Sequence, residues 1–196
     1  AANNTTPGAP AGDVIFSIPS QTFSAATVPL TLTTASPTAQ IRYTTNRTEP
    51  TAASTLYTGP LTLSSTTMVR ARAIETALGF APGLVHSETY IKLGTAAATF
   101  TSNLPVVVVD TFGSGKPNAD TPMFWTMYTP NAATSNRTAL TNSPVLATRG
   151  RMVVRGSSSA GWAKYSMNIE AWNEANEDTD VAPLGMAPEA DWILQS

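Results

Sequence analysis

The sequence predicts an all-β protein in two parts: an antiparallel sandwich over residues 13–91 and a second β-rich subdomain over residues 104–196. The first observation behind this prediction is the frequency of threonine in every stretch before Thr148, because threonine favours strands. The second is a series of short apolar or alternating runs, separated by turn residues at the spacing typical of antiparallel sandwiches.

Composition excludes several classes of function. The chain has 196 residues, enough for one or two domains with a real core. Charged residues make up 12% of it, and the net charge of −2 comes without a basic block, which argues against binding to nucleic acid or an anionic membrane. The absence of cysteine excludes disulfides, thiolate catalysis and cysteine metal sites. No apolar run in the sequence reaches the ~18 residues of a membrane span.

A flexible tail and six short strands are predicted for the first part of the chain. Residues 1–12 are small and polar with Pro and Gly, so we expect them to be flexible, and the start Ala-Ala-Asn-Asn is compatible with a cleaved secretory signal. The six predicted strands of residues 13–91 are Asp13–Ile18, Val28–Thr33, Gln40–Thr45, Leu61–Leu63, Met68–Glu75 and Leu84–Ile91.

After a short linker at residues 92–103, four further strands are predicted, with no amphipathic helix of more than about three turns. We expect Val106–Val109 to be fully buried, because it is continuously apolar. The four strands are Leu104–Asp110, Met123–Tyr128, Val145–Gly156 and Trp162–Trp172. An acidic loop, Asn173–Asp180, follows them, and the segment Asp191–Leu194 closes the chain.

The first part of the chain resembles the Ig-like module found at the C-terminus of chitobiases and hexosaminidases. The residues that carry the resemblance are IRYTTNRTEPT, LYTGPLTLSSTTMVRARAI and the closing SETYI. That family usually has Asp-Gly in the turn of the first motif, where this chain has Asn46-Arg47 and gains a glycosylation sequon. In its usual hosts the module is an accessory or spacer domain, so the resemblance implies an Ig-like sandwich without catalytic chemistry.

The second part resembles the N-terminal part of a CotH-type spore-coat kinase domain over residues 103–195. The motifs are NLPVVVVDTFGSGKP, the turn RGSSS, the following strand WAKYS, an acidic loop, LGMAP and ADWIL. The resemblance implies that Arg155 and Lys164 stand at the family's conserved basic positions. With Gly156, Ser157 and Ser158 they would bind an anion or nucleotide.

The same residues also fit an ordinary polar hairpin loop, which is the simpler interpretation. Tyr165 replaces the second lysine of the family's Lys-Lys pair, and Ala163 replaces its proline. In that family the catalytic and metal-binding carboxylates lie beyond the Asp-Trp segment, and this sequence stops at Ser196. We therefore expect no phosphotransferase activity from these residues.

No catalytic, metal or cofactor site is predicted. His86 is the single histidine, and without a Gly-x-Ser-x-Gly elbow an ordinary surface role is expected. The acidic loop could offer oxygen ligands to Ca²⁺, but it lacks EF-hand spacing and a solvated loop is the better interpretation. Six aromatic residues could form a sugar-stacking face, although such side chains are more often core: Trp125, Tyr128, Trp162, Tyr165, Trp172 and Trp192.

Two kinds of surface chemistry remain. Asn3, Asn4, Asn46 and Asn136 each begin an Asn-x-Ser/Thr sequon in a predicted tail or turn, and the Thr-rich surface could carry O-linked sugars. Open sheet edges should also invite strand addition between subunits, with residues 1–12 or the segment after Asp13 as donor, which would build a homopolymer.

These observations predict a secreted, non-catalytic bacterial protein of the cell surface, specifically the subunit of a self-associating fibre, filament or coat. It would need no cofactor, nucleic acid or membrane span. Two alternatives stay open: the N-terminal fragment of a CotH-like protein kinase, and a carbohydrate-binding accessory module that uses the aromatic residues.

Overall fold

The computed structural model describes residues 11–75 and 81–195, and they form two compact units. Unit 1 consists of the described residues within 1–20 and 25–92, and unit 2 of those within 21–24 and 93–196. Both are built mainly from antiparallel strands, which confirms the predicted all-β class. In the described part of the chain, no helix has the length and apolar character needed to cross a membrane.

Nine strands are described before residue 93, and all except β2 belong to unit 1. They are β1 (Val14–Phe16), β2 (Gln21–Phe23), β3 (Val28–Leu30), β4 (Leu32–Thr34), β5 (Ala39–Thr44), β6 (Thr55–Leu56), β7 (Leu61–Leu63), β8 (Thr67–Glu75) and β9 (His86–Lys92). Within unit 1, β1 pairs with β4, β3 pairs with β7, and β9, β8, β5 and β6 lie in that order in one sheet.

Each of the six strands predicted for this region has a counterpart, but the structure corrects two boundaries. The predicted strand Val28–Thr33 is divided at Thr31 into two strands, β3 and β4. The division occurs because the Thr31 backbone leaves the strand pairing and accepts a hydrogen bond from the Ser17 N–H over 2.9 Å. The predicted tail is too long, since Ala11 is buried and its N–H donates to the Ala81 carbonyl over 3.1 Å. The other tail residues, 1–10, lie outside the described residues.

Two buried polar side chains of unit 1, Tyr90 and Arg70, have defined hydrogen-bond partners. The Tyr90 hydroxyl donates to the Ile18 carbonyl over 2.6 Å, and burial, helped by the nearby Glu88 charge, raises the pKa of Tyr90 far above its ordinary range. Arg70 is only 2% exposed, and its guanidinium donates to the Ser87 hydroxyl and to the Arg47 carbonyl. These bonds hold a polar side chain in an otherwise apolar interior.

Unit 2 is organised by a five-stranded antiparallel sheet. After the single-turn helix α1 (Thr95–Ala98), its strands are β10 (Thr101–Ser102), β11 (Val106–Asp110), β12 (Thr121–Tyr128), β13 (Thr138–Ala139), β14 (Leu146–Arg155), β15 (Ser166–Trp172) and β16 (Asp191–Leu194). The sheet order is β11-β12-β14-β15-β16, and β10 pairs separately with β13. The strand β2 joins unit 2, because the Leu93 N–H donates to the Phe23 carbonyl over 2.8 Å.

The strand alternation gives this sheet two different faces. One face carries a buried apolar cluster of Met123, Trp125, Met127, Met152 and Ile169. The opposite face is apolar along β11 and β12, where Tyr128 packs with Leu93 and Leu140. Along β14, β15 and β16 that same opposite face is charged. The charged part of the sheet is therefore positioned by the apolar cluster beneath it.

Three sequence predictions for unit 2 are wrong in detail. Val106–Val109 is half-buried, not fully buried, because β11 is the terminal strand of the sheet. The predicted strand Trp162–Trp172 begins only at Ser166, after a 3-10 turn, and Trp162 is 65% exposed. The predicted linker 92–103 contains α1, β10 and the buried Leu93.

Candidate functional site: a charged groove on unit 2

The exposed face of β14, β15 and β16 forms an open concavity of about 300 Å³, which we call the charged groove. That volume lies at the lower end of the range for small-ligand sites. The lining residues on this face are Arg151, Val153, Asn168, Glu170, Asp191 and Ile193. Ile169 and Trp192 also border the concavity, although strand alternation directs their side chains to the opposite face.

Strand register brings the polar side chains of the groove together. Arg151 lies opposite Glu170, and Glu170 lies opposite Asp191, so one row across three strands carries three charges. The next row on the same face contains Val153 and Asn168 together with Ile193, which is 51% exposed. These two rows lie on the same face because residues two positions apart in a strand point to the same side of the sheet.

Arg151 lies at the centre of an ion-pair network. Its guanidinium donates to Asp120 over 2.7 Å and makes a second hydrogen bond to Glu170. The pKa of Glu170 is lowered mainly by the hydrogen bond from Arg151 and also by the hydrogen bond from the Trp172 indole. Burial alone would raise this pKa, but the hydrogen bonds outweigh it. Glu170 is consequently ionised at neutral pH, and the hydrogen bond to Glu170 raises the pKa of Arg151.

Trp172 and Asp178 border the groove. The Trp172 Nε1–H donates to Glu170 Oε1 over 2.5 Å, which fixes the ring beside the charged row. The charge of Glu170, together with a hydrogen bond between the two carboxyl groups, raises the pKa of Asp178. Asp178 reaches this position because it forms an isolated bridge with Trp172.

The acidic loop, Asn173–Asp180, is held by Arg149. One guanidinium nitrogen of Arg149 donates to the Asn173 carbonyl over 2.9 Å and contacts Glu174 over 3.1 Å, and another donates to the Asn176 side chain. The expectation of a purely solvated loop is therefore incomplete. Within residues 11–75 and 81–195, no group of three or more His, Asp or Glu side chains is placed to hold a metal ion.

The five residues predicted to bind an anion or nucleotide lie at the hairpin between β14 and β15. Arg155 ends β14, Gly156 adopts a φ of 106°, and Ser157, Ser158 and Lys164 are exposed.

Sequence reasoning missed another cation at this hairpin. Lys116 donates to the Ala160 carbonyl and lies 4.5 Å from the centre of the Tyr165 ring. Nothing in the local sequence pattern signals this approach, because it joins residues 44 positions apart.

The remaining candidate residues are dispersed. His86 is half-exposed in β9, with its Nε2 3.6 Å from an Asp13 carboxylate oxygen. The six aromatic residues do not form one face, because Trp125 and Tyr128 are buried on opposite sides of the sheet whereas Trp162 is exposed. Asn46 and Asn136 lie in exposed turns, and Asn3 and Asn4 lie outside the described residues.

Comparison with known families supports the first of the two resemblances. Residues 18–81 match the family described as the chitobiase/beta-hexosaminidase C-terminal domain. The strands of unit 1 are consistent with an Ig-like β-sandwich, and the matched family is a non-catalytic domain found at the C-terminus of glycosidases. The CotH-type resemblance of residues 103–195 has no such support and stays a prediction. No curated protein and no solved structure gave a significant match.

Proposed function

We propose that the protein is a non-catalytic, extracellular accessory module that binds a neutral saccharide in the charged groove of unit 2. The match of residues 18–81 to a domain of glycosidases supports the accessory role. The observation that carries the proposal is the groove itself, in which planar polar side chains stand next to exposed apolar ones.

The side chains of the groove suit the two kinds of surface on a sugar ring. Neighbouring hydroxyl groups both donate and accept hydrogen bonds, which suits the planar groups of Asn168, Glu170 and Asp191. The C–H face of a sugar is apolar and can pack on Val153 and on Ile193. Small-ligand sites commonly combine apolar walls with a few fixed polar groups in this way.

The charges of the groove favour a neutral ligand over a phosphate. Arg151 is the single cation of the lining, and it is already neutralised by Glu170 and Asp120. Glu170 and Asp191 make the lining net negative, so a phosphate would be repelled by like charge. This electrostatic balance supports a saccharide and argues against a nucleotide in the groove.

The carboxyl groups of the groove do not suit glycoside hydrolysis. A general acid needs a raised pKa, whereas the pKa of Glu170 is lowered by Arg151. The partner with a raised pKa, Asp178, is hydrogen-bonded to Glu170, while retaining glycosidases hold their two carboxyl groups ~5 Å apart with the sugar between them. Binding without turnover is therefore the function that this arrangement supports.

Calorimetric titration with a panel of neutral oligosaccharides tests the proposal. The variant Asp191→Ala should weaken binding about tenfold, because it removes a charged hydrogen-bond acceptor whose bond contributes roughly 1.5 kcal/mol or more. The matched control is Asp180→Ala, which makes the same chemical change at an exposed position outside the lining. Equal affinity in the two variants, or no binding by the parent protein, would contradict the proposal.

Self-association is a second candidate, favoured by the terminal strands of the unit 2 sheet. Among the described strands, β11 and β16 each have a neighbour on one side only, and Ile193 on β16 is 51% exposed. Such edges favour strand addition from another chain. Light scattering should then show growth with concentration and shorter species after removal of residues 1–10, a deletion that spares the buried Ala11. A monomer at all concentrations would contradict this candidate.

A further inference from the structure

Two identical tripeptides, Asn46-Arg47-Thr48 and Asn136-Arg137-Thr138, occupy very different environments in the folded chain. We infer that the folded protein accepts an N-linked glycan at Asn46 and rejects one at Asn136. The inference is independent of the groove, and it separates two sequons that are equivalent in sequence.

The Asn46 sequon lies in an open turn between β5 and β6. Asn46 and Thr48 are both exposed, so the amide nitrogen and the hydroxyl that an acceptor needs lie at the surface. Asn46 Oδ1 accepts hydrogen bonds from the Thr48 N–H over 3.2 Å and from the Thr48 hydroxyl over 2.6 Å. This local Asx turn directs the carbonyl oxygen of the side chain inward, away from the amide nitrogen that would carry the glycan.

The backbone around Asn46 is fixed without use of its side-chain nitrogen. Arg47 adopts a φ of 72°, and its carbonyl accepts a hydrogen bond over 3.2 Å from the buried Arg70. The Thr44 hydroxyl donates to the Thr48 carbonyl over 2.6 Å and closes the turn. A glycan at Asn46 would extend into solvent without breaking any of these contacts.

The Asn136 sequon is built into the packing of unit 2. Asn136 is exposed, but Thr138 is 0% exposed, and its hydroxyl donates to the Leu104 carbonyl over 2.7 Å. Thr138 also lies in β13, opposite Ser102 of β10. An enzyme that must reach the threonine hydroxyl could do so only after β13 has separated from its neighbours.

The middle residue restrains the Asn136 sequon further. The Arg137 guanidinium donates to both the hydroxyl and the carbonyl of Thr101, over 3.0 Å and 3.1 Å. The Asn136 N–H donates to the Asn131 carbonyl over 2.9 Å. Local opening would therefore break several bonds at once, and the open population sets the rate of modification at this site.

The reaction itself is a group transfer from a lipid-pyrophosphate-linked oligosaccharide. The bond between the sugar C1 and the phosphate oxygen breaks, and a new bond forms between C1 and Asn46 Nδ2. The nitrogen loses one proton, and the lipid pyrophosphate leaves with the bonding electron pair. No oxidant or reductant takes part.

The test uses one oligosaccharyltransferase, chosen because it modifies synthetic peptides of both sequons at comparable rates. The folded full-length chain is incubated with this enzyme and its lipid-linked donor, and occupancy is read by mass spectrometry of chymotryptic peptides. Chymotrypsin cuts at aromatic residues and leucine, which separates Asn46 from Asn136 and from the asparagines of the tail. Occupancy at Asn46 should exceed occupancy at Asn136 at least about tenfold, as expected where access needs local unfolding.

A destabilised variant distinguishes burial from enzyme preference. Leu140→Ala removes a buried side chain that packs with Tyr128 next to β13, so it should raise occupancy at Asn136 and leave occupancy at Asn46 unchanged. Equal modification of the two sites in the parent protein would overturn the inference. Modification at Asn136 alone, or at neither site, would overturn it as well, because both peptides are accepted by the enzyme.

Discussion

A single methyl group added at Gly150 should force two strands of the unit 2 sheet apart. The Cβ of an alanine at this position would lie 1.9 Å from the Glu170 carbonyl oxygen and 3.1 Å from the Met123 Cε atom. Outside their own residue and its two chain neighbours, real Cβ atoms essentially never come within 3.0 Å of another heavy atom. The obstructing oxygen belongs to the backbone of β15, so no side-chain rotation can remove the clash.

The expected cost follows from the kind of atom that must move. Overpacking in a sheet core costs roughly 1–3 kcal/mol, and a clash with backbone belongs at the upper end of that range. We therefore expect Gly150→Ala to lower the free energy of unfolding by about 3 kcal/mol. For a unit of this size, that loss lowers the melting temperature by roughly 12–24 °C.

Urea denaturation followed by tryptophan fluorescence measures this change in unit 2 alone, because all four tryptophans of the sequence belong to unit 2. The matched control is Gly161→Ala, because a Cβ at Gly161 would have nothing within 4 Å. The free energy of unfolding of the Gly161→Ala control should stay within about 0.5 kcal/mol of that of the parent protein. A Gly150→Ala variant as stable as the control would refute the close approach of β14 and β15 on which the groove depends.

Three other outcomes are expected. Glu170→Gln should lower the unfolding free energy by about 1 kcal/mol at neutral pH. The pKa of Glu170 is lower in the folded state, so the stability that its charge contributes is present above the unfolded pKa and is lost as pH falls through the folded pKa. The difference in unfolding free energy between Glu170→Gln and the parent protein should therefore vanish in strong acid. A difference that persists there would contradict the ion pair. Arg149→Ala should speed hydrogen exchange in the acidic loop, whereas Arg155→Ala, at an exposed position, should not. Incubation with labelled ATP and Mg²⁺ should transfer no phosphate to an acceptor protein, and transfer that disappears in Lys164→Ala would show that expectation to be wrong.

Much of the fold could be predicted because strand alternation is local information. The run Leu61–Leu63 is a strand with the predicted bounds. The split at Thr31 could not be predicted, since it depends on Ser17 in another strand. The contact of Lys116 with the hairpin between β14 and β15 could not be predicted either, because it joins residues 44 positions apart.

The groove could not be predicted because it depends on register between strands. Arg151, Glu170 and Asp191 are far apart in the sequence, and each alone looks like an ordinary surface charge. A shift of one residue in either pairing would move one of these side chains to the opposite face. Met152, Ile169 and Trp192 pack in the apolar cluster on the opposite face and favour this register. The sequence pattern does not specify which strands will be neighbours.

The binding of saccharide to the charged groove is tested most directly by the indole signals of a ¹⁵N-labelled sample during titration with a neutral oligosaccharide. The Trp172 indole N–H donates to Glu170 at the edge of the groove, whereas the Trp125 ring is buried in the apolar cluster on the other face. We expect the Trp172 signal to shift in proportion to saturation and the Trp125 signal to stay in place. A titration that moves neither the Trp172 signal nor the backbone amides of β14, β15 and β16 would contradict the proposed site.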